Sequence, residues 1–420
     1  MNRKGTLTLT VLATTLGAWA PSSAPAGGID LYEVSTADVG LASAGYAAGA
    51  QDASTVFKNP AGMSRLNGAQ LESGLQLLYG NVKFSANSRT TTSGGNGNNA
   101  VGALPAANLF VTFPVTPKLT MGFGSFSYFG LSENYGDGWA GRYYVQNGTL
   151  LGLSLMPAAS YQVTEWLAIG GALNAMYGYL DTQVAINTLG PGDGQMTLKD
   201  EAWGFGGNAG ILIQPREGTR IGANYLSQVD LNFSAKPNFS HLGPIGSLPL
   251  FQNPPQLNLG MTVPQAVMVG LYQELNDKWA LLADVGWQNW SKFGEVSIGY
   301  DTANPGSLTA QLHYNDTWHG AIGAQYKASE QWRLTAGFAY DTSAVDDANR
   351  TVTLPMGATY RYGLGAFWKV SQAVDLGAAY ELAWVGDMPV TQSSTYRGTV
   401  SGSFNDAYFM FFSLGLNWRF

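Results

Sequence analysis

The chain offers few residues from which to build a reactive site. It carries three histidines, at 241, 313 and 319, and no cysteine. His313 and Asp316 could act as base and orienting acid of a surface protease or lipase, but no nucleophile stands at a suitable spacing from them. HExxH, Walker and EF-hand patterns are all missing from the sequence. No catalytic residue, metal or cofactor is therefore expected. A net charge of −7 without a basic patch also argues against nucleic acid as a partner.

Composition points elsewhere. Only 12% of the 420 residues are charged, about half of what a soluble domain carries, while 54 are glycine and 12 are tryptophan. After the N-terminus there is no apolar run of about 18 residues, so a helical membrane span is not expected. A transmembrane strand needs less, because only every second side chain faces lipid. Period-2 alternation is indeed the dominant pattern. Tyr408, Met410, Phe412, Leu414, Leu416, Trp418 and Phe420 share one parity; Ser413, Gly415, Asn417 and Arg419 share the other. Comparable segments start at Trp332, Tyr362 and Val374, and aromatic residues at segment ends match the girdles of a barrel at the two membrane interfaces.

The connections alternate between very short, as at Thr164-Glu165 and Asn276-Asp277, and long and polar, as at Lys236 to Pro255 and Val385 to Arg397. Short inner turns and long outer loops are the habit of outer-membrane barrels. About fourteen strands are expected between residues 70 and 420, among them 119–130, 220–235, 279–300, 309–327, 374–385 and 404–420. The fold class is thus an all-β, fourteen-stranded antiparallel outer-membrane barrel. Such a barrel is too wide for its own wall side chains to fill.

Residues 1–26 read as an export signal: Arg3 and Lys4, then Leu7 to Ala20, then Ala24-Pro25-Ala26 as the cleavage site. Residues 27–69 are rich in Ala, Gly and Ser without sustained alternation, and are expected to plug the barrel as a small N-terminal hatch.

The run from Asp52 to Met63, with Ser54 and Asn59-Pro60-Ala61, resembles the hatch signature of the FadL family of outer-membrane transporters for long-chain fatty acids and aromatic hydrocarbons. Gly27 to Glu33, Tyr128-Phe129-Gly130-Leu131, Trp203 to Leu212 and Phe338 to Ser343 are similar to further family segments, so the likeness covers nearly the whole mature chain. The resemblance implies a passive outer-membrane channel for a hydrophobic small molecule. Cargo would be captured among the outer loops, held in an interior pocket and released sideways into lipid at an inward kink in the third strand. It implies a monomer, without cofactor, that is handed to the barrel-assembly machinery through Phe420. Long-chain fatty acids are the leading cargo, toluene-like hydrocarbons the alternative, and a porin-like or adhesin-like barrel the remaining one.

Site expectations follow. Asp52, Ser54, Asn59, Pro60 and Ala61 would anchor the hatch. Gly130 would mark the kink, since glycine within a strand often marks a bulge, with Ser127 as a polar pocket residue. A fatty acid carboxylate would be met by a cation, arginine above all for its bidentate fork; Arg142, Arg333, Arg350, Arg361 and Lys369 are candidates, with His313 where the family carries a base before strand 10. The outer half of strand 5, Asp181 to Ile186, lacks the basic residue the family has there.

Overall fold

A computed structural model describes residues 31–188, 190–301 and 306–420. The expected export signal, and residues 27–30 after it, lie outside the described residues. Fourteen antiparallel strands close into a ring: β1 Gln70–Asn81, β2 Gly102–Pro114, β3 Leu119–Asn134, β4 Asn147–Gln162, β5 Leu167–Ile186, β6 Gly194–Arg216, β7 Thr219–Leu226, β8 Ala266–Glu274, β9 Trp279–Gln288, β10 Thr317–Lys327, β11 Trp332–Asp341, β12 Thr359–Lys369, β13 Val374–Ser394 and β14 Gly398–Arg419. The ladder between β1 and β14, from Gln70 opposite Arg419 to Asn81 opposite Tyr408, seals the cylinder. Closure gives every strand a neighbour on both sides, as a strand structure in lipid requires over most of its height.

Alternation settles which face of each strand looks outward. Leu173, Phe205, Val285, Ile322, Leu364 and Leu414 are all well exposed on the outside. Near one end Trp332 pairs with Trp368 across β11 and β12, their rings stacked at 6.0 Å. Near the other, Tyr340, Tyr360, Trp384 and Tyr408 follow one another in register across β11 to β14. From Trp332 to Tyr340 is about 27 Å along a strand at ~3.4 Å per residue, enough for the apolar band of an outer-membrane barrel once tilt is allowed for. Both ends of the ring and its tight turns share the Trp332 end; the long connections share the other.

Three strands expected as continuous are interrupted. β7 stops at Leu226, β9 at Gln288, and β10 begins only at Thr317. Their outer stretches, Val229–Ala235, Glu295–Asp301 and Gly306–Gln311, join Gln256–Val263 in a separate four-stranded sheet. Val229, Leu231 and Phe233 are buried there, against Gly178 and Gly204 on the inner face of β5 and β6. Conversely, the stretch expected as a loop from Val385 is strand as far as Ser394, so β13 and β14 rise beyond the aromatic girdle as one long hairpin.

Residues 31–69 lie inside the ring. They hold two short helices, α1 Thr36–Leu41 and α2 Thr55–Lys58, followed by a 3-10 turn Pro60–Arg65. Ser35 and Asp38 cap α1 reciprocally, and Ala42 ends it in the left-handed conformation.

Candidate functional site

Three features make up the site: the seats that hold residues 31–69 against the wall, a pocket above that segment, and an interruption of the wall beside the pocket.

Asn59 caps the 3-10 turn by accepting from the Ala61 N–H at 3.1 Å, while its amide donates to the Ala47 carbonyl at 2.7 Å and to the Ile211 carbonyl of β6 at 3.0 Å. Pro60, at the first turn position, needs no donor there. The Ser160 hydroxyl of β4 donates to the Ala61 carbonyl at 3.0 Å. At three positions under this turn the wall is glycine: a Cβ at Gly170 would collide with Ala61 N–H, at Gly210 with the Asn59 side chain, and at Gly222 with the Ala47 carbonyl. Glycine here permits close backbone approach. Asp52 accepts from the Ser54 N–H at 3.0 Å and from its hydroxyl, starting the turn into α2.

A second seat lies across β10 to β14. Gly323, Gly337 and Gly363 stand opposite one another on three adjacent strands, and a Cβ at Gly337 or Gly363 would enter the backbone of Val39 to Ala42. The Thr335 hydroxyl donates to the Gly40 carbonyl at 2.8 Å. Between the seats, the Asp284 carboxylate of β9 accepts from the N–H groups of Gly45, Tyr46 at 3.0 Å and Ala47 at 3.1 Å. Within the segment, Lys58 and Asp38 form a buried ion pair at 2.8 Å. Burial alone would lower the Lys58 pKa, but the Asp38, Asp52 and Glu72 carboxylates around it raise it to about 12. Because this pKa lies above the ordinary value of 10.5, the pair's contribution is complete below about pH 10 and is lost as pH rises through about 12. Limited proteolysis across a pH series is therefore expected to find residues 31–69 equally protected from pH 6 to 9. Cleavage should rise only beyond pH 10. Increased cleavage already at pH 8 would contradict this assignment.

The pocket sits on the loop side of this segment, with an empty volume of about 1020 Å³ including its mouth. Its walls are mostly apolar: Leu31, Val101, Leu131, Trp290, Leu354 and Phe409 among them. Its polar lining includes Glu133, Gln288, Thr317, Asp341 and Arg361.

Beside the pocket the wall opens. The β2–β3 ladder ends where Leu109 meets Ser125. Beyond that point Gly102 to Asn108 pair only with β1 while β3 runs on along β4, and the two lips meet again where the Asn134 N–H donates to the Ala100 carbonyl at 2.7 Å. A bulge falls at Tyr128, between Ser127 opposite Leu153 and Phe129 opposite Gly152. With that extra residue, Tyr128 and Phe129 are both buried on the inside, 4.9 Å from the Phe57 ring and 5.8 Å from the Phe293 ring respectively. The bulge is thus two residues before Gly130. The Ser127 hydroxyl, expected toward the pocket, donates to the Gly152 carbonyl at 2.8 Å and so staples the bulge to β4. The inner segment takes up part of the unpaired edges: Leu31 N–H donates to the Tyr128 carbonyl at 2.8 Å, and the Asn108 amide to the Val34 carbonyl at 2.6 Å. The pocket draws on both lips of the opening, Ala100 and Val101 before β2, Leu131 and Glu133 on β3.

Of the candidate cations, only Arg361 lines the pocket, and it is shared by Glu33, by Asp341 at 2.6 Å and by Glu381 at 3.2 Å. Arg350 donates to the Met356 and Pro389 carbonyls at 2.8 Å each and pairs with Asp347, so it shapes the loop that supplies the Leu354-to-Met356 wall. Arg142 pairs with Asp193 at 2.6 Å and ties two outer loops together. Arg333 and Lys369 lie at the opposite, turn end, in a polar vestibule beneath the segment. His313 is exposed in a left-handed turn, and Asp316 is engaged by Trp287, Asn289 and Ser291 instead. Sequence reasoning missed Glu133, Trp290 and Asp284. The available signal was a carboxylate within an otherwise apolar or glycine-rich strand, which must find a partner or a use.

Comparison with known proteins bears on the whole chain. Residues 17–420 match the family model described as outer membrane protein transport protein (OMPP1/FadL/TodX). Outer membrane protein P1 of Haemophilus influenzae is 29% identical, over 96% of this chain and 97% of its own. A long-chain fatty acid transport protein of Escherichia coli O6:H1 is 25% identical, over 90% of this chain and 92% of its own. Among solved structures, a Pseudomonas aeruginosa FadL homologue superposes with a TM-score of 0.85 at 20% identity, covering 94% of this chain and all of that one.

Proposed function

Because this chain belongs to the OMPP1/FadL/TodX family of outer-membrane transport proteins, we propose that it admits hydrophobic molecules, long-chain fatty acids foremost, through the pocket and sideways into the membrane between β2 and β3. It is an outer-membrane barrel and a transporter, not an enzyme. On this reading the loop end faces outward and the turn end faces the periplasm. Residues 31–69 serve as the hatch that blocks the direct route to the periplasm, with Asp52, Ser54 and Asn59-Pro60-Ala61 holding it in place.

One observation carries the route: the same apolar pocket draws its walls from both lips of the unpaired stretch between β2 and β3. An apolar solute gains about 0.8 kcal/mol for each methylene it removes from water. A ten-carbon tail passing from pocket to lipid keeps roughly 8 kcal/mol that release into the periplasm would forfeit. The fatty acid cargo is supported by the E. coli relative and by the length of apolar wall. Aromatic hydrocarbons are the second reading, favoured by a pocket whose single guanidinium is already surrounded by carboxylates.

The test is uptake by a strain lacking its own transporter. Expression of this chain is expected to raise import of radiolabelled oleate several-fold over vector, and by more than it raises import of toluene. If neither compound enters faster than with empty vector, the transport reading fails. If toluene alone does, the second reading replaces the first.

A further inference from the structure

Beneath residues 31–69, at the turn end, the lumen changes character. The pocket above is lined by Glu133, Asp341 and one cation, Arg361. The vestibule below, with an empty volume of about 1170 Å³ including its mouth, is lined by Lys278, Lys327, Arg333, Lys369 and Arg419. A smaller cavity shares Gln51, Lys369 and Arg419 with it and adds Arg65, with no carboxylate in its own lining. Strand ends form the walls here, and Ala50, Gln51 and Leu66 of the inner segment form the ceiling.

These cations are only partly matched. The carboxylates of the vestibule are Glu274, Asp277, Glu330 and Asp375. Glu330 takes Lys327 at 2.8 Å, Asp375 takes Arg419, and Glu274 accepts from the Tyr272 hydroxyl at 3.1 Å. Arg65, Arg333 and Lys369 have no carboxylate within ion-pair distance among the described residues. Arg333 donates to the Gln51 side chain at 3.0 Å and lies over the Phe367 ring at 4.7 Å, both neutral partners. Arg65 donates to the Glu165 carbonyl at 2.9 Å, while its Nε and Nη2 are buried without a partner, so its charge is uncompensated. Register adds to the cost: Lys327 stands directly opposite Arg333, and like charges so placed destabilise a sheet. The surplus positive field, focused in a recess between low-dielectric walls, draws in anions.

We propose that this vestibule docks an acidic, extended polypeptide segment arriving from the turn side, which on the transport reading is the periplasm. Arg65 reaches the β4–β5 turn, whereas Arg333 and Lys369 stand on β11 and β12, half-way round the ring. A single small oxyanion meets one side or the other. A chain with several carboxylates spans both, and the guanidinium groups take carboxylates in their planar fork. The docked segment thus touches the inner segment through Arg65 and the wall through Arg333 and Lys369.

Titration calorimetry on the full-length protein in phosphatidylcholine nanodiscs tests this, with hexaglutamate, hexalysine and pyrophosphate as probes. Hexaglutamate is expected to bind, more weakly as salt rises, and hexalysine is not. Arg333→Gln combined with Lys369→Gln should weaken hexaglutamate about 10-fold, and Arg65→Gln alone several-fold. Lys83→Gln combined with Lys236→Gln removes the same charge at the loop end and should change nothing. Heat-modifiable gel mobility verifies that every variant retains the closed barrel. No binding of hexaglutamate, or an equal loss in the loop-end variant, overturns the proposal. Pyrophosphate binding as tightly as hexaglutamate overturns the polypeptide occupant in favour of a small oxyanion. Oleate uptake is scored separately: its absence from the parent removes the transport reading and leaves this binding standing.

Discussion

Deleting residues 27–69 is expected to turn a barrel that passes almost no ions into an open pore, with conductance in planar bilayers rising by an order of magnitude or more. The physical basis is the size of the ring: fourteen strands enclose more space than their inward side chains fill, and the volume is occupied by a segment seated on glycine. At the Asn59 seat and at the α1 seat the wall contributes little but backbone. Removing the segment therefore leaves a lumen without side chains long enough to bridge it there. The barrel itself should survive, because its ladders run strand to strand and close between β1 and β14. The cost falls on Asp284, Asn208 and Arg361, which lose partners in the segment but gain water in exchange. A deletion variant that folds, by heat-modifiable mobility, yet conducts no better than the parent would end the hatch assignment.

Removing Tyr128 alone should have the opposite effect on cargo, abolishing hydrophobic uptake without opening an ion path. Ser127 faces Leu153 and Phe129 faces Gly152, which are already consecutive on β4, so excision of Tyr128 gives an unbroken β3–β4 register. A straight β3 comes alongside Gly102 to Asn108 of β2, whose groups toward it are unpaired at present. A new ladder there seals the wall. Oleate uptake is expected to fall at least 10-fold, while binding to the pocket, measured on the purified protein, changes little. Undiminished uptake with a well-folded variant would mean that cargo leaves by another way. A substitution at Gly130 should do far less, because an added Cβ there only grazes the Leu151 side chain at 3.0 Å.

The barrel was legible from alternation because lipid imposes it on every spanning strand. Where the rule failed, alternation continued without a spanning strand beneath it. Val229, Leu231 and Phe233 keep the period, but their buried face lies against β5 and β6 rather than against lipid. Period 2 identifies a strand with one buried face and is silent on what buries it. The bulge had a trace in the adjacent aromatics Tyr128 and Phe129, a phase slip that the neighbouring glycines masked. Asn59-Pro60 was visible as a local turn, and its partner Ile211 was not. Of the partners of Arg361, Asp341 and Glu381 stand on the two adjacent strands, but Glu33 lies 328 positions away and was beyond reach until the inner segment is placed. Glycines at 323, 337 and 363 look like any others among 54 until register aligns them.

Those aligned glycines also carry information about time. The inner segment precedes every barrel strand in the chain, yet one seat is built from β5 to β7 and the other from strands as late as β14. Neither platform exists until the strands that compose it stand side by side, and contacts this distant in sequence are the slow ones to form. Residues that precede the whole barrel in sequence are thus the last that can find their place. Until then they must remain unattached, so the finished cylinder is a precondition for the seating of its own interior.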